Sequence, residues 1–214
     1  MKLLPKVRFA RADVMKQRGV VLFFTLIALL AMSLAAVALI RSVDTSTLIA
    51  GNLAFKQAAT SSADEGVDAA MTWLAATQTA NNAINVLNDP AHPFNITNLA
   101  ARPGYHSNID PTLNLTADAT WNNTDSVLVG TDGSGNTIRY IIQRVCRNAN
   151  QPIQTADCLF SSAILDNNGQ AIPLPQQVCQ GAGCPVAGQT PQIRITTRAA
   201  GPKNTVSYVQ TFVY

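Results

Sequence analysis

Between Val20 and Ile40 the chain runs for 21 residues without a charged side chain, and Arg41 ends the run. At about 1.5 Å per helical residue, such a stretch matches the roughly 30 Å hydrocarbon core of a bilayer. A secretory signal would have a shorter apolar core, of about 7–15 residues, and a small-residue cleavage site. Here the run is longer, and Arg41-Ser42-Val43-Asp44 makes a poor site. The segment is therefore expected to stay with the protein as a helix.

Charge is distributed around that helix in one direction. Residues 1–19 hold Lys2, Lys6, Arg8, Arg11, Lys16 and Arg18 against Asp13, a net of +5 in a chain whose total is +3. The remainder is therefore net −2, and the basic balance belongs to the N-terminal tail. No aromatic-rich basic patch occurs elsewhere, so no nucleic-acid partner is expected. By the positive-inside rule the tail stays in the cytoplasm and residues 42–214 lie on the outer side.

All four cysteines, Cys146, Cys158, Cys179 and Cys184, fall in that outer part. An even number in an oxidising compartment points to disulfides. Cys179 and Cys184 would close a short glycine-rich loop, and Cys146 with Cys158 a longer one. Four cysteines allow three connectivities, and the sequence leaves all three open. The spacings do not suit zinc, and His92 and His106 lie far from the cysteines, so no metal and no cofactor are expected.

No proline occurs between Pro5 and Pro90, which permits a very long helix. Val43, Thr47, Ala50, Ala54, Ala58, Val67, Ala70, Met71 and Leu74 keep roughly helical spacing beyond the apolar run, with polar residues between them. One helix is predicted from Val20 to about Gln78, its second half amphipathic with an Ala-rich packing face. The alternative is two helices meeting at Gly51-Asn52. Gly51 and Gly66 each weaken a helix locally by about 1 kcal/mol relative to Ala.

Residues 79–124 are rich in Asn, Thr and Pro and predict a long irregular connection with short local elements. Ser126–Val129 and Thr137–Cys146 are strand-like around a turn, GTDGSGN. Residues 147–191 form a second loop region. Ile193, Ile195 and Thr197 alternate with Arg194, Thr196 and Arg198, then Gly201-Pro202-Lys203-Asn204 turns the chain into Val206–Val213. Two hairpins, hence four antiparallel strands with one wet face, are the expectation.

Candidate chemistry is sparse. Asp132-Gly-Ser-Gly-Asn136 superficially resembles a calcium loop, but lacks the ligand order and the twelfth-position acid, so a hairpin turn is expected. Asn95, Asn114 and Asn122 begin glycosylation sequons of the kind an Asn/Thr-rich chain produces by chance. The two histidines are assigned to loops, and no nucleophile elbow, Walker loop or zincin helix is present. Asp64, Glu65 and Asp68 read as a solvated helix face. No enzyme is expected.

Against this background several motifs stand out together. Phe24-Thr25-Leu26-Ile27 with the following residues is close to FTLIELL, the start of a type IV pilin, with Ala28 at its glutamate. Lys16-Gln17-Arg18-Gly19, followed at once by Val20-Val21-Leu22-Phe23-Phe24, resembles the site of prepilin peptidase. Leu48-Ile49-Ala50-Gly51-Asn52-Leu53, then Ala63-Asp64-Glu65-Gly66, is similar to the "MAGN … A-E-A" pattern of PilX-type minor pilins, with Asp64-Glu65-Gly66 departing from Ala-Glu-Ala. The segment from Arg194 to Gln210 resembles that family's closing strands. The likeness covers about residues 16–75 and 190–214.

The resemblance implies an α+β, pilin-like fold: a long N-terminal helix, transmembrane in its first half, packed on a small antiparallel sheet of about four strands with long disulfide-bearing loops. It implies a leader at 1–19 cleaved between Gly19 and Val20 on the cytoplasmic side, with methylation of the new amino group. Residues 20–41 would form the membrane or filament-core half of the helix, 42–78 its amphipathic half, and 79–214 the outer domain. Counted from the cut, the position of the family's glutamate is Phe24, so an acid is missing in either alignment. In a major pilin that glutamate meets the amino terminus of the preceding subunit. An unpaired buried charge costs several kcal/mol, so an apolar residue suits a subunit with no predecessor, at the tip. The implied partners are other minor pilins, the major pilin, prepilin peptidase and, before assembly, the inner membrane of a Gram-negative bacterium. A minor pseudopilin of type II secretion and a permanently anchored periplasmic binding domain are the rival readings.

Overall fold

The computed structural model describes residues 20–163, 165, 167–170 and 182–214. Their elements are one long helix, α1 (Val20–Ala80), strands β1 (Tyr105–His106), β2 (Val127–Thr131) and β3 (Thr137–Arg144), a single-turn helix α2 (Ile153–Ala156), and strands β4 (Ile193–Ala200) and β5 (Val206–Val213). The chain divides into two compact units at Gly51/Asn52.

In the first unit, Val20–Gly51 is wholly helical, and its apolar side chains are exposed around the whole circumference. The helix is not broken at Gly51-Asn52. That agrees with the single long helix expected from the absence of proline, not with two helices.

In the second unit, the remainder of α1 packs on the sheet through a narrow stripe. Ala59, Ser62, Ala63, Gly66, Ala70 and Leu74 are its buried residues, spaced three and four apart as one helix face requires. The stripe is indeed small-residue, but it is rotated from the expected one. Met71 is exposed, and Ala59 replaces Ala58 at the seam. Where the helix backbone comes this close to the sheet, as at Gly66, only small residues fit the seam; the larger Leu74 and Trp73 pack at the aromatic end.

Two clusters fill the interface. Ala59, Ala63 and Ala199 meet in one, with Val209 against them. Ala70, Leu74, Phe94, Tyr105, Tyr140, Ile142 and Ile195 form the other. At that end Trp73, Phe94 and Tyr105 stack in a triangle with ring centroids 5.4–6.2 Å apart. Each such pair adds about 0.5–1.5 kcal/mol beyond its area burial.

The two hairpins form as expected. β3 pairs antiparallel with β2 and β4, and β4 with β5, the last in unbroken register from Ile193↔Val213 to Ala200↔Val206. The four-stranded antiparallel expectation needs two corrections. First, β1 adds a fifth strand, parallel to β3 through Tyr105↔Ile142 and His106↔Gln143. It continues the same edge of β3 that β2 occupies at Thr137–Tyr140, which makes the sheet mixed. A two-residue strand inside an Asn/Pro-rich stretch carries no periodicity to read.

Second, the outer face is not uniformly wet. β3 is buried on both sides from Tyr140 to Arg144. The segment around Asp118–Ser126 lies over this face. Arg139 donates to the Asn122 carbonyl and to Asn123 Oδ1, and Arg198 pairs with Asp118 at 2.5 Å. Trp121 lies 5.9 Å from the Tyr208 ring.

The loops between α1 and β3 are held by side chains that imitate turns. Asn85, Asp89, Asp110, Asn114, Asn122 and Asp132 each accept from a backbone N–H two residues on, at 2.7–3.0 Å. Short Asn and Asp side chains are suited to this. The sequons at Asn114 and Asn122 are thus turn-forming pairs, and Asn95 is fully buried.

Candidate functional site

The apolar half of α1 is the most prominent surface of the chain. From Val20 to Ile40 every large apolar side chain is exposed, Phe24 by 63%. Among the described residues this is the one helix long and apolar enough to cross a membrane. Its hydroxyls are satisfied internally: Thr25 donates to the Leu22 carbonyl and Ser33 to the Leu30 carbonyl, each at 2.8 Å. A lipid or protein interior would therefore meet no unpaired side-chain hydroxyl there. The first turn carries no acid, and Ala28 and Phe24 both present apolar groups to the surroundings. Of the expected processing pair, Val20 lies in α1, while Gly19 lies outside the described residues.

The outer unit is built around Arg144, at the end of β3. The residue is 1% exposed. Nε donates to the Ser107 carbonyl at 2.9 Å, one terminal nitrogen to Asn95 Oδ1, and the other to the Gln151 carbonyl at 2.7 Å. Asn95 in turn donates to the Val86 and Asp89 carbonyls at 2.8 and 2.7 Å. One side chain thus ties β3 to three loops. Burial lowers the Arg144 pKa, against the pull of Tyr105; the group remains a cation with neutral partners among the described residues. The sequence reading missed this residue. Its signal was a lone charge beside Ile141-Ile142-Gln143, where an alternating strand would place an inward side chain.

Asp132 performs the corresponding task at the other end. It accepts from the Ser134 and Asn136 backbone at 2.8 and 2.7 Å, from the Asn136 amide at 2.8 Å, and from the Ser62 hydroxyl on α1. These hydrogen bonds, Ser62's foremost, hold its carboxyl down at about 2. The loop is the β2–β3 hairpin turn, docked on the helix. Thr60 and Ser207, 2.7 Å apart, join α1 to β5 nearby.

Among the cysteines, Cys146 and Cys158 are joined, one of the pairings left open above. Cys184 is disulfide-bonded as well, and Cys179 lies outside the described residues. The bond clips the end of β3 to the chain after α2, where Arg147 and Asp157 also pair at 3.3 Å.

A polar cleft of about 380 Å³ opens beside β1, lined by Thr97, His106, Asp110, Thr112, Thr120 and Asp125 among others. His106 belongs to β1 rather than to a loop and is 3% exposed. Burial lowers its pKa despite a hydrogen bond to the Asp125 backbone and the Asp125 and Asp110 charges. The Thr112 hydroxyl donates to Asp110 at 2.6 Å, not to the imidazole. His92, also fully buried, caps the turn at Pro93–Asn95 by accepting from the Phe94 N–H at 3.1 Å. Both histidines therefore act as core groups in the structure. Asp64, Glu65 and Asp68 are all exposed, as a solvated face requires.

Comparison with known proteins adds no relative: no family model, no curated protein and no solved structure matches this chain.

Proposed function

We propose that this chain is a minor pilin, a low-abundance subunit that assembles into a type IV pilus and acts by helix packing and subunit contacts, without catalysis. The observation that carries the reading is the character of α1. One helix combines 21 uncharged residues, exposed all round, with a second segment whose Ala/Gly stripe is packed on a sheet. A plain anchor needs the first part only; a filament subunit uses both, one for membrane storage and core packing, the other to carry its outer domain. The residues before Val20 supply the basic, glycine-ended leader that prepilin peptidase cuts, and the cysteines suit a periplasmic and then extracellular domain.

The apolar Phe24 supports a place at the start of a filament, where no preceding amino terminus needs a counter-charge. Its partners are then the other minor pilins, the major pilin below it, and the inner membrane before extraction.

Mass spectrometry of the N-terminus tests the reading. In cells with active prepilin peptidase the mature chain begins at a methylated Val20, and replacing Gly19 with a bulky charged residue abolishes the cut. An intact leader would sink the proposal and leave a permanently anchored periplasmic domain. Correct processing with the protein spread evenly along sheared pili would overturn the tip assignment alone.

A further inference from the structure

The two edges of the sheet are unlike each other. On one side, β3 is flanked by β1, two residues long, and by β2, five residues long and bulged between Leu128 and Gly130. Short and bulged strands are what keep an edge from pairing with another chain. On the other side lies β5, eight residues in unbroken register with β4. Its sequence, VSYVQTFV, holds no charge, no proline and no glycine. It carries no bulge, charge or proline to blunt it, and among the described residues no strand lies beyond it.

The hydrogen-bond phase of β5 is set at its turn. The Gly201 N–H donates to the Thr205 carbonyl at 2.7 Å. Antiparallel pairs alternate between exchanging both bonds and exchanging none. Counting along the register, Ser207, Val209, Thr211 and Val213 bond to β4. Val206, Tyr208, Gln210 and Phe212 therefore direct their N–H and C=O groups outward, and their side chains are the exposed ones.

We propose that β5 pairs antiparallel with β5 of a second copy of this chain, about a two-fold axis at Gln210. This register uses the whole strand. Gln210 meets Gln210 of the other copy, Tyr208 meets Phe212 twice, and Val206 meets Tyr214. Every outward backbone group in the overlap finds a partner, and two aromatic cross-strand pairs form, which are favourable in such sheets. Charge is compatible as well. Arg194 lies opposite Phe212 and Arg198 opposite Tyr208 on β4, so each row across the joined sheet reads Arg194, Phe212, Tyr208, Arg198. Three strand spacings of about 4.8 Å separate the two cations, further than the roughly 8 Å over which salt screens them. Arg198 is already paired with Asp118. A partner strand bearing lysine or arginine opposite Phe212 would lose that spacing. The pairing does not rest on the filament reading.

The full chain in detergent tests it. Gln210→Cys places two thiols on the axis, and mild oxidation should link two chains; Leu128→Cys, equally exposed on the bulged edge, should not link them. Gln210→Lys sets two like charges opposite each other and should weaken the dimer about tenfold by light scattering, with the circular dichroism spectrum unchanged. A monomeric wild type at micromolar concentration, or equal linking by both cysteines, overturns the proposal. β5 amides protected from exchange only within isolated pili or membranes would overturn it too, assigning the edge to a strand of another protein.

Discussion

Gly66 of α1 lies against Thr197 of β4 so closely that a β-carbon at Gly66 would stand 2.9 Å from the Thr197 methyl and 3.1 Å from that of Ile138. The contact explains why the helix tolerates a residue that weakens it. At Gly51, by contrast, nothing lies within 4 Å. The two glycines look alike in sequence and differ entirely in setting.

Substituting alanine should therefore have opposite effects at the two sites. Gly66→Ala gains about 1 kcal/mol of helix propensity but forces the seam apart at about 1–3 kcal/mol, a net loss in most of that range. Gly51→Ala gains up to about 1 kcal/mol with no clash. Denaturant titration of the full chain in detergent, followed by the fluorescence of Trp73 and Trp121, measures the first; helix content by circular dichroism measures the second.

Arg144→Met should be among the most damaging single changes in the outer unit. It leaves Asn95 Oδ1 and the Ser107 and Gln151 carbonyls without their donor, at about 1–3 kcal/mol for each of the two buried ones, at Asn95 and Ser107. Arg144→Lys should rescue little, because one ammonium cannot span three divergent acceptors. Limited proteolysis should show cleavage appearing first at 93–97 and 148–152.

Reducing Cys146–Cys158 releases a loop closed over 12 residues. Chain entropy puts the loss at about 2–3 kcal/mol. A melting curve with and without reductant, repeated on a Cys146→Ser/Cys158→Ser double variant, isolates this bond from the one at Cys184. The double variant should melt lower than wild type without reductant.

Acid should weaken the outer unit in two stages. His92 and His106 have pKa values lowered from 6.5 by burial. The unfolded chain then takes up protons that the folded one refuses, and stability falls as pH drops through about 6.5. Asp132 is held at about 2 instead of 3.8. It stays ionised in the fold while the unfolded chain protonates, so a second loss runs from about pH 4 down to about pH 2. Asp110, held down by its Thr112 hydrogen bonds, adds to the same acid limb, so Asp132→Asn should shrink the second stage and leave the first, as measured by urea midpoints across the pH range.

Much of the architecture was legible in the residues. The long helix followed from an absence of proline and an uncharged run, and both hairpins from alternation around Gly-rich turns. These are local signals, since helix and strand periods repeat within a few residues. The Asn and Asp turns were legible as loops for the same reason, their hydrogen bonds closing within two to four positions.

What needed the tertiary structure was every choice between chemically similar residues far apart in sequence. Nothing near Tyr105 and His106 announces a strand, because the strand exists only through Ile142 and Gln143. Cys146 had three equivalent mates until the fold brought Cys158 beside it. Arg144, to which the sequence assigned no role, became a buried hub only when three loops closed over it, and His106 was a loop residue until β1 buried it. Sequence determined the elements and the membrane-compatible helix, because propensity and solubility act on neighbours along the chain. The fold decided which glycine is indispensable, which charge is buried and which sheet edge stays open, because packing acts on neighbours in space.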